Sequence, residues 1–200
     1  MQKNQLLTEA CQIAKSIFER NKTSGSSANM SFMYQGHVYI TVSGTCFGNL
    51  DEDSFAEADV AGNVLNGKKP SKELPLHLIL YQNGAPDVRA VIHTHSFYTT
   101  LWSCLDHKGK EDDVIPAYTP YLRMKAGKIR LIPYGAPGSS QLFDEFRKRV
   151  SVERGYLLAH HGSVVGASNL KEAFFALEEL EESARIAWEL RKEVGVKTVY

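Results

Sequence analysis

The segment VRAVIHTH, residues 88–95, runs straight into SFYTTLWSCL, residues 96–105, with no proline or glycine between them. The first is short, apolar and β-branched, as a strand requires; the second suits a helix. The pattern recurs. KIRLIPY (128–134) is a strand, SSQLFDEFRKRV (139–150) a helix, GYLLAHHG (155–162) a strand, and a long helix covers about 169–193, opening with Asn169 and Glu172 much like a capping box. Strands and helices interleaved in this way predict an α/β layer fold. Residues 5–20 add a helix with an apolar stripe, HVYITVS (37–43) an alternating strand, and LPLHLILYQ (74–82) a helix ending at Asn83-Gly84. EADVAGNVLNGKKP (57–70) reads as loop.

With 200 residues, the chain suits one domain over 1–200. Lys plus Arg equals Asp plus Glu at 23 each, so no basic excess points to nucleic acid, and any anion site must be local. Cys11, Cys46 and Cys104 are scattered and lack a C-x-x-C, which argues against a disulfide framework and a zinc ribbon. No apolar run approaches a membrane span and the N-terminus lacks a signal-peptide core, so a cytoplasmic protein without membrane partners is expected.

Two histidines, His93 and His95, stand two apart in the strand VRAVIHTH. Alternation puts them on one face, roughly 7 Å apart along the strand. A buried histidine is usually a packed, hydrogen-bonded residue, yet neutral imidazole is also the commonest metal ligand. A third candidate comes from His160-His161 at the end of GYLLAHHG, where sites form in α/β sheets; adjacent strand residues face opposite ways, so only one of the pair joins the other two. Glu73 in PSKELP opens a helix, where an acid also complements the helix dipole. Three imidazoles and one carboxylate make a complete tetrahedral zinc set. The turns GSSANMS (25–31), TVSGT (41–45) and PSKE (70–73) add small residues, hydroxyls and the Lys72 ammonium, which is what a phosphate needs.

The ordered set S-A-N-x-S (27–31), T-x-S-G (41–44), P-S-K-E (70–73), H-T-H-S (93–96) and A-H-H-G (159–162) resembles the class II aldolase/adducin family over nearly the whole chain. PSKELPLHLILY, the segment 114–138 and EELEESAR (178–185) resemble its 3-oxo-tetronate 4-phosphate decarboxylase branch. The resemblance implies a three-layer α/β/α domain with a mixed, mostly antiparallel sheet, assembled as a homotetramer with sites between subunits. It implies Zn2+, or another divalent metal, on His93, His95 and His161, with Glu73 as acid/base and at the metal. It implies phosphate binding near Asn29, Ser43, Gly44 and Ser71, with Lys72 adding charge, and a catalytic Tyr121. Ala28 and Val42 depart from the family's usual glycine and proline. The implied substrate is a small phosphorylated sugar acid, decarboxylated through a zinc-stabilised enediolate to dihydroxyacetone phosphate and carbon dioxide. A sugar-phosphate aldolase or dehydratase would share that intermediate. An adducin-like interaction domain would not need the metal set.

Overall fold

The computed structural model describes residues 2–199, which build a seven-stranded mixed sheet between two helical layers. In chain order the elements are α1 (Lys3–Glu19), β1 (Asn29–Tyr34), β2 (His37–Thr41), β3 (Phe55–Ala58), α2 (Leu74–Asn83), β4 (Ala90–Thr94), α3 (Phe97–Ser103), α4 (Tyr121–Lys125), β5 (Arg130–Ile132), α5 (Ser140–Arg149), β6 (Gly155–Leu158), β7 (Gly162–Ala167) and α6 (Leu170–Leu190). The strand order is β3-β2-β1-β4-β7-β6-β5. Only β5–β6 is parallel, and α5 provides the crossover that such a pair needs. The mixed, mostly antiparallel sheet expected from the family resemblance is the one observed.

Side-chain alternation sorts the core. Met30 and Phe32 of β1, Ile92 of β4 and Val165 of β7 face the layer of α1, α3, α4 and α6. Val91 of β4, Val164 of β7 and Tyr156 of β6 face α2 and α5. Val38 and Ile40 of β2 pack on Leu74 and Leu78 of α2. Helix α1 buries one stripe, Leu7, Ala10, Ile13, Ala14 and Ile17. Helix α2 is apolar nearly all round, because its other side is also covered. Among the described residues no helix is long and apolar enough to cross a membrane.

Several local expectations need correction. The strand VRAVIHTH ends at Thr94, so His95 lies one residue beyond it. GYLLAHHG does not end a strand with its histidines. Strand β6 stops at Leu158, and 159–161 turn the chain back into β7, a strand the apolar pattern did not reveal. Strand β1 lies in a stretch read as a small polar turn, and β3 enters the stretch read as loop. The last helix stops at Leu190 rather than 193. Its cap is half a capping box: Asn169 accepts from the Glu172 amide, while the Glu172 carboxylate pairs with Lys125.

Candidate active site

Strand β4 lies at the sheet centre, between β1 and β7. His93 is fully buried on its α2 face, opposite Asn29 of β1 and Val164 of β7. Its Nδ1 donates to the Ser163 carbonyl at 2.8 Å, which fixes the tautomer and leaves the Nε2 lone pair facing outward. His95, just past the strand, brings its Nε2 within 3.1 Å of His93 Nε2. The rings are therefore closer than strand spacing predicts, with centroids 5.0 Å apart.

The third ring comes from the β6–β7 turn. His160 takes a left-handed φ of +54° and is exposed, with its ring 6.1 Å from Tyr134. That residue reverses the chain, and His161 swings back to within 4.8 Å of both His93 and His95, ring centre to ring centre. Gly162 permits the approach: a Cβ there would lie 2.4 Å from the Thr94 carbonyl oxygen. The selection of His161 over His160 is thus made by a tight turn, not by strand alternation.

Glu73 precedes the first residue of α2 and is buried. Its Oε2 accepts from Asn29 Nδ2 at 2.8 Å and lies 3.4 Å from His93 Nε2. Its Oε1 lies 3.5 Å from His161 Nε2 and is buried without a hydrogen-bond donor among the described residues. Burial raises the Glu73 pKa, but His93, the Asn29 hydrogen bond, His161 and His77 outweigh it, and the carboxyl sits below its ordinary range. The histidines shift downward. Burial, then the neighbouring His161, takes His95 to about 4. Burial, then His93, takes His161 to about 4. Burial also lowers His93, against the pull of Glu73. At neutral pH the cluster is three neutral imidazoles beside one carboxylate. The ligand atoms of the three imidazoles lie within 4.8 Å of one another, and the buried negative charge of Glu73 beside them is short of a cation. The donor set fits a divalent metal.

A cleft of about 220 Å³ opens from this cluster, smaller than the roughly 300–1,000 Å³ of drug-sized sites and suited to a small metabolite. Ser26, Ser43, Gly44, Ser71, Lys72 and Pro137 line it together with Asn29, Glu73, His95 and His161. The three separate turns read as a phosphate pocket do come together beside the imidazoles. The isolated bridge Val42↔Pro70 and the Ser71 amide bond to the Thr41 carbonyl join two of them. Lys72 is exposed in the cleft and makes no ion pair among the described residues. Asn29 is otherwise occupied, holding Glu73 through Nδ2 and meeting His77 Nε2 through Oδ1 at 2.5 Å. Tyr121 does not line this cleft. It begins α4 in the other helical layer and is 57% exposed.

Reading the sequence missed His77, Ser31 and Tyr81. His77 Nδ1 is 2.7 Å from Ser31 Oγ, and Ser31 Oγ is 2.7 Å from Tyr81 OH. A signal was present. His77 is the one histidine within the apolar run of α2 and lies four after Glu73, so the two share a helix face.

Comparison with known proteins shows the family and the fold. Residues 8–188 match the model of the Class II Aldolase and Adducin N-terminal domain. A 3-oxo-tetronate 4-phosphate decarboxylase of Pectobacterium atrosepticum is 37% identical, covering 89% of this chain and 81% of its own. An L-fuculose phosphate aldolase of Methanococcus maripaludis is 34% identical, covering 88% and 92%. The crystal structure of YgbL from Escherichia coli superposes with a TM-score of 0.92 at 35% identity, over 98% of this chain and 94% of that one.

Proposed function

The chain belongs to the class II aldolase and adducin family, and from that premise we propose that it is a zinc-dependent lyase that decarboxylates a 3-oxo-tetronate 4-phosphate to dihydroxyacetone phosphate and carbon dioxide. The observation that carries this reading is one cleft lined by His95, His161, the buried Glu73 and three anion-suited turns, with the His93 ring directly behind the two imidazoles. The decarboxylase relatives direct it toward loss of carbon dioxide.

His93, His95 and His161 would hold the metal, with Glu73 Oε1 beside them. A bound divalent metal supplies Lewis-acid polarisation of the substrate's oxygens. The chain's own residues do the rest. Ser43, Gly44 and Ser71 seat the phosphate, and Lys72 supplies the positive charge that the other lining groups lack. This fixes the four-carbon acid with its C1–C2 bond near Glu73. Cleavage of that bond leaves an electron pair at C2, and the reaction takes up one proton there. Glu73, a carboxylate at neutral pH, takes that proton from solvent and delivers it to C2. Tyr121 does not line the cleft of its own chain, and a catalytic role for it requires the proposed homotetramer, in which a neighbouring copy would supply it.

The test is a screen of phosphorylated four-carbon 3-oxo acids and sugar phosphates with zinc-loaded protein, following carbon dioxide and aldehyde separately. Carbon dioxide release supports the proposal. Aldehyde release without it would give the site to the aldolase reaction of the fuculose-phosphate relatives.

A further inference from the structure

Behind Glu73 runs an unbroken hydrogen-bonded chain that never touches the cleft's far end. It passes from Glu73 to Asn29, His77, Ser31 and Tyr81, with spacings of 2.8, 2.5, 2.7 and 2.7 Å. Ser31 and His77 are fully buried. The chemistry of the two ends sets its direction. A carboxylate only accepts, so Asn29 turns Nδ2 to Glu73 and Oδ1 to His77. An amide oxygen only accepts, so His77 carries its proton on Nε2. Nδ1 is then a bare acceptor, Ser31 donates to it, and Tyr81 donates to Ser31. Each donor points toward the carboxylate. Reversing one bond would leave a buried donor facing a donor, at a cost of about 1–3 kcal/mol.

We propose that His77 is a positioning residue for Glu73: held as the Nε2–H tautomer by Ser31 and Tyr81, it orients the Asn29 amide, which pins Glu73 Oε2 and leaves Oε1 as the working oxygen. The proposal deepens the reading of Glu73 as acid/base and rests on it. Three observations support it. Glu73 Oε2 is bonded to Asn29 while Oε1 has no donor among the described residues. Asn29 sits directly opposite His93, so its amide has little room to move. His77 is neither one of the three clustered imidazoles nor a lining residue of the cleft, and its side chain reaches the cleft only through Asn29.

Two readouts separate this role from simple packing. Imidazole-nitrogen NMR of the wild-type protein should show His77 protonated at Nε2 and bare at Nδ1, and Ser31→Ala should shift the Nδ1 resonance. A His77 protonated at Nδ1 would overturn the proposal, whatever the protein's activity. In steady-state kinetics, His77→Leu should lower kcat by roughly 10- to 100-fold, the usual effect of losing an outer hydrogen-bond partner, with KM within about twofold. His77→Gln, whose amide nitrogen can stand where Nε2 stood, should recover most of that loss. Equal kcat loss in the Leu and Gln variants, both folded, would overturn it. If the wild-type protein turns over none of the screened substrates, the functional reading fails, and the NMR result alone decides the relay.

Discussion

The two ends of the cleft are built on different plans. The imidazole end is rigid and made of side chains: His93, Glu73 and His161 are buried and held by β4, the start of α2 and the β6–β7 turn. The anion end is made of turns, with Ser43, Gly44 and Lys72 exposed and few side-chain bonds among them. The difference suits the tasks proposed for the two ends. A metal and a proton carrier need geometry held to fractions of an ångström. A phosphate has many acceptor sites and tolerates several arrangements of N–H and hydroxyl donors. Damage at the imidazole end should therefore appear in metal content and kcat, and damage at the anion end in KM.

The largest expected effect is loss of the metal. His95→Ala removes one of three imidazoles and should weaken zinc binding by more than 100-fold, beyond what losing a supporting partner costs. His160→Ala, one residue from His161 but facing away, should keep full zinc content by elemental analysis. Equal losses in both variants would break the assignment of His161. Next comes Glu73→Gln, which should bind zinc and keep KM within a few fold while kcat falls roughly 100- to 10,000-fold. Activity within twofold of wild type would remove Glu73 from the chemistry.

The same contrast governs how much could be read in the sequence. Imidazoles and an acid are conspicuous, so the candidate ligand set, which the fold brings together, was legible from residue type and order. The reason they converge was not. His95 lies past its strand, and His161 is selected by the left-handed His160 and the close approach at Gly162. Strand β7, GSVVGA, is buried along its whole length and carries two glycines, so it lacks both alternation and strong β propensity. Strand β1 did alternate, Met30 and Phe32 against Asn29 and Ser31, but its polar face looked like a turn because its partners, Glu73 and His77, lie more than 40 residues away. The anion end was legible only as an accumulation of turns, because backbone N–H groups leave little trace in residue identity.

Acid should act on the imidazole end alone. His77 is pushed to about 3, and His95 and His161 to about 4, against an ordinary value of 6.5. Between pH 6.5 and about 4 the unfolded chain binds protons that the folded metal-free chain refuses, so folding stability falls as pH falls through that window. Glu73, depressed, adds a further loss below its unfolded value of about 4.5. Urea midpoints measured from pH 7.5 to 5 should decline for wild type and for Ser43→Ala alike, and less steeply for His161→Gln. A Ser43→Ala slope as shallow as that of His161→Gln would show that the ends are not separable. The same Ser43→Ala variant should raise KM for the phosphorylated substrate by roughly ten- to a hundredfold, since losing a hydrogen bond to a charged group costs about 1.5–3 kcal/mol. Ser43 is the cleaner probe than Ser71, whose Oγ also accepts from the Glu73 amide at 3.3 Å.

The smallest effect sharpens where the anion sits. Gly44 has φ +83°, a left-handed backbone that an L-residue adopts at a cost of about 1–2 kcal/mol. Nothing lies within 4 Å of the position its Cβ would take, so Gly44→Ala meets no steric clash in the chain itself. Its cost in folding should therefore be the backbone strain alone, about 1–2 kcal/mol by denaturant midpoint. What happens to KM is separate. If the phosphate rests against the Gly44 backbone, the added methyl occupies its seat, and KM should rise several-fold for the phosphorylated substrate while zinc content and kcat hold. If KM is unchanged at the same loss of stability, the anion is held by Ser43, Ser71 and Lys72 without Gly44, and the seat lies nearer the start of α2 than the end of β2.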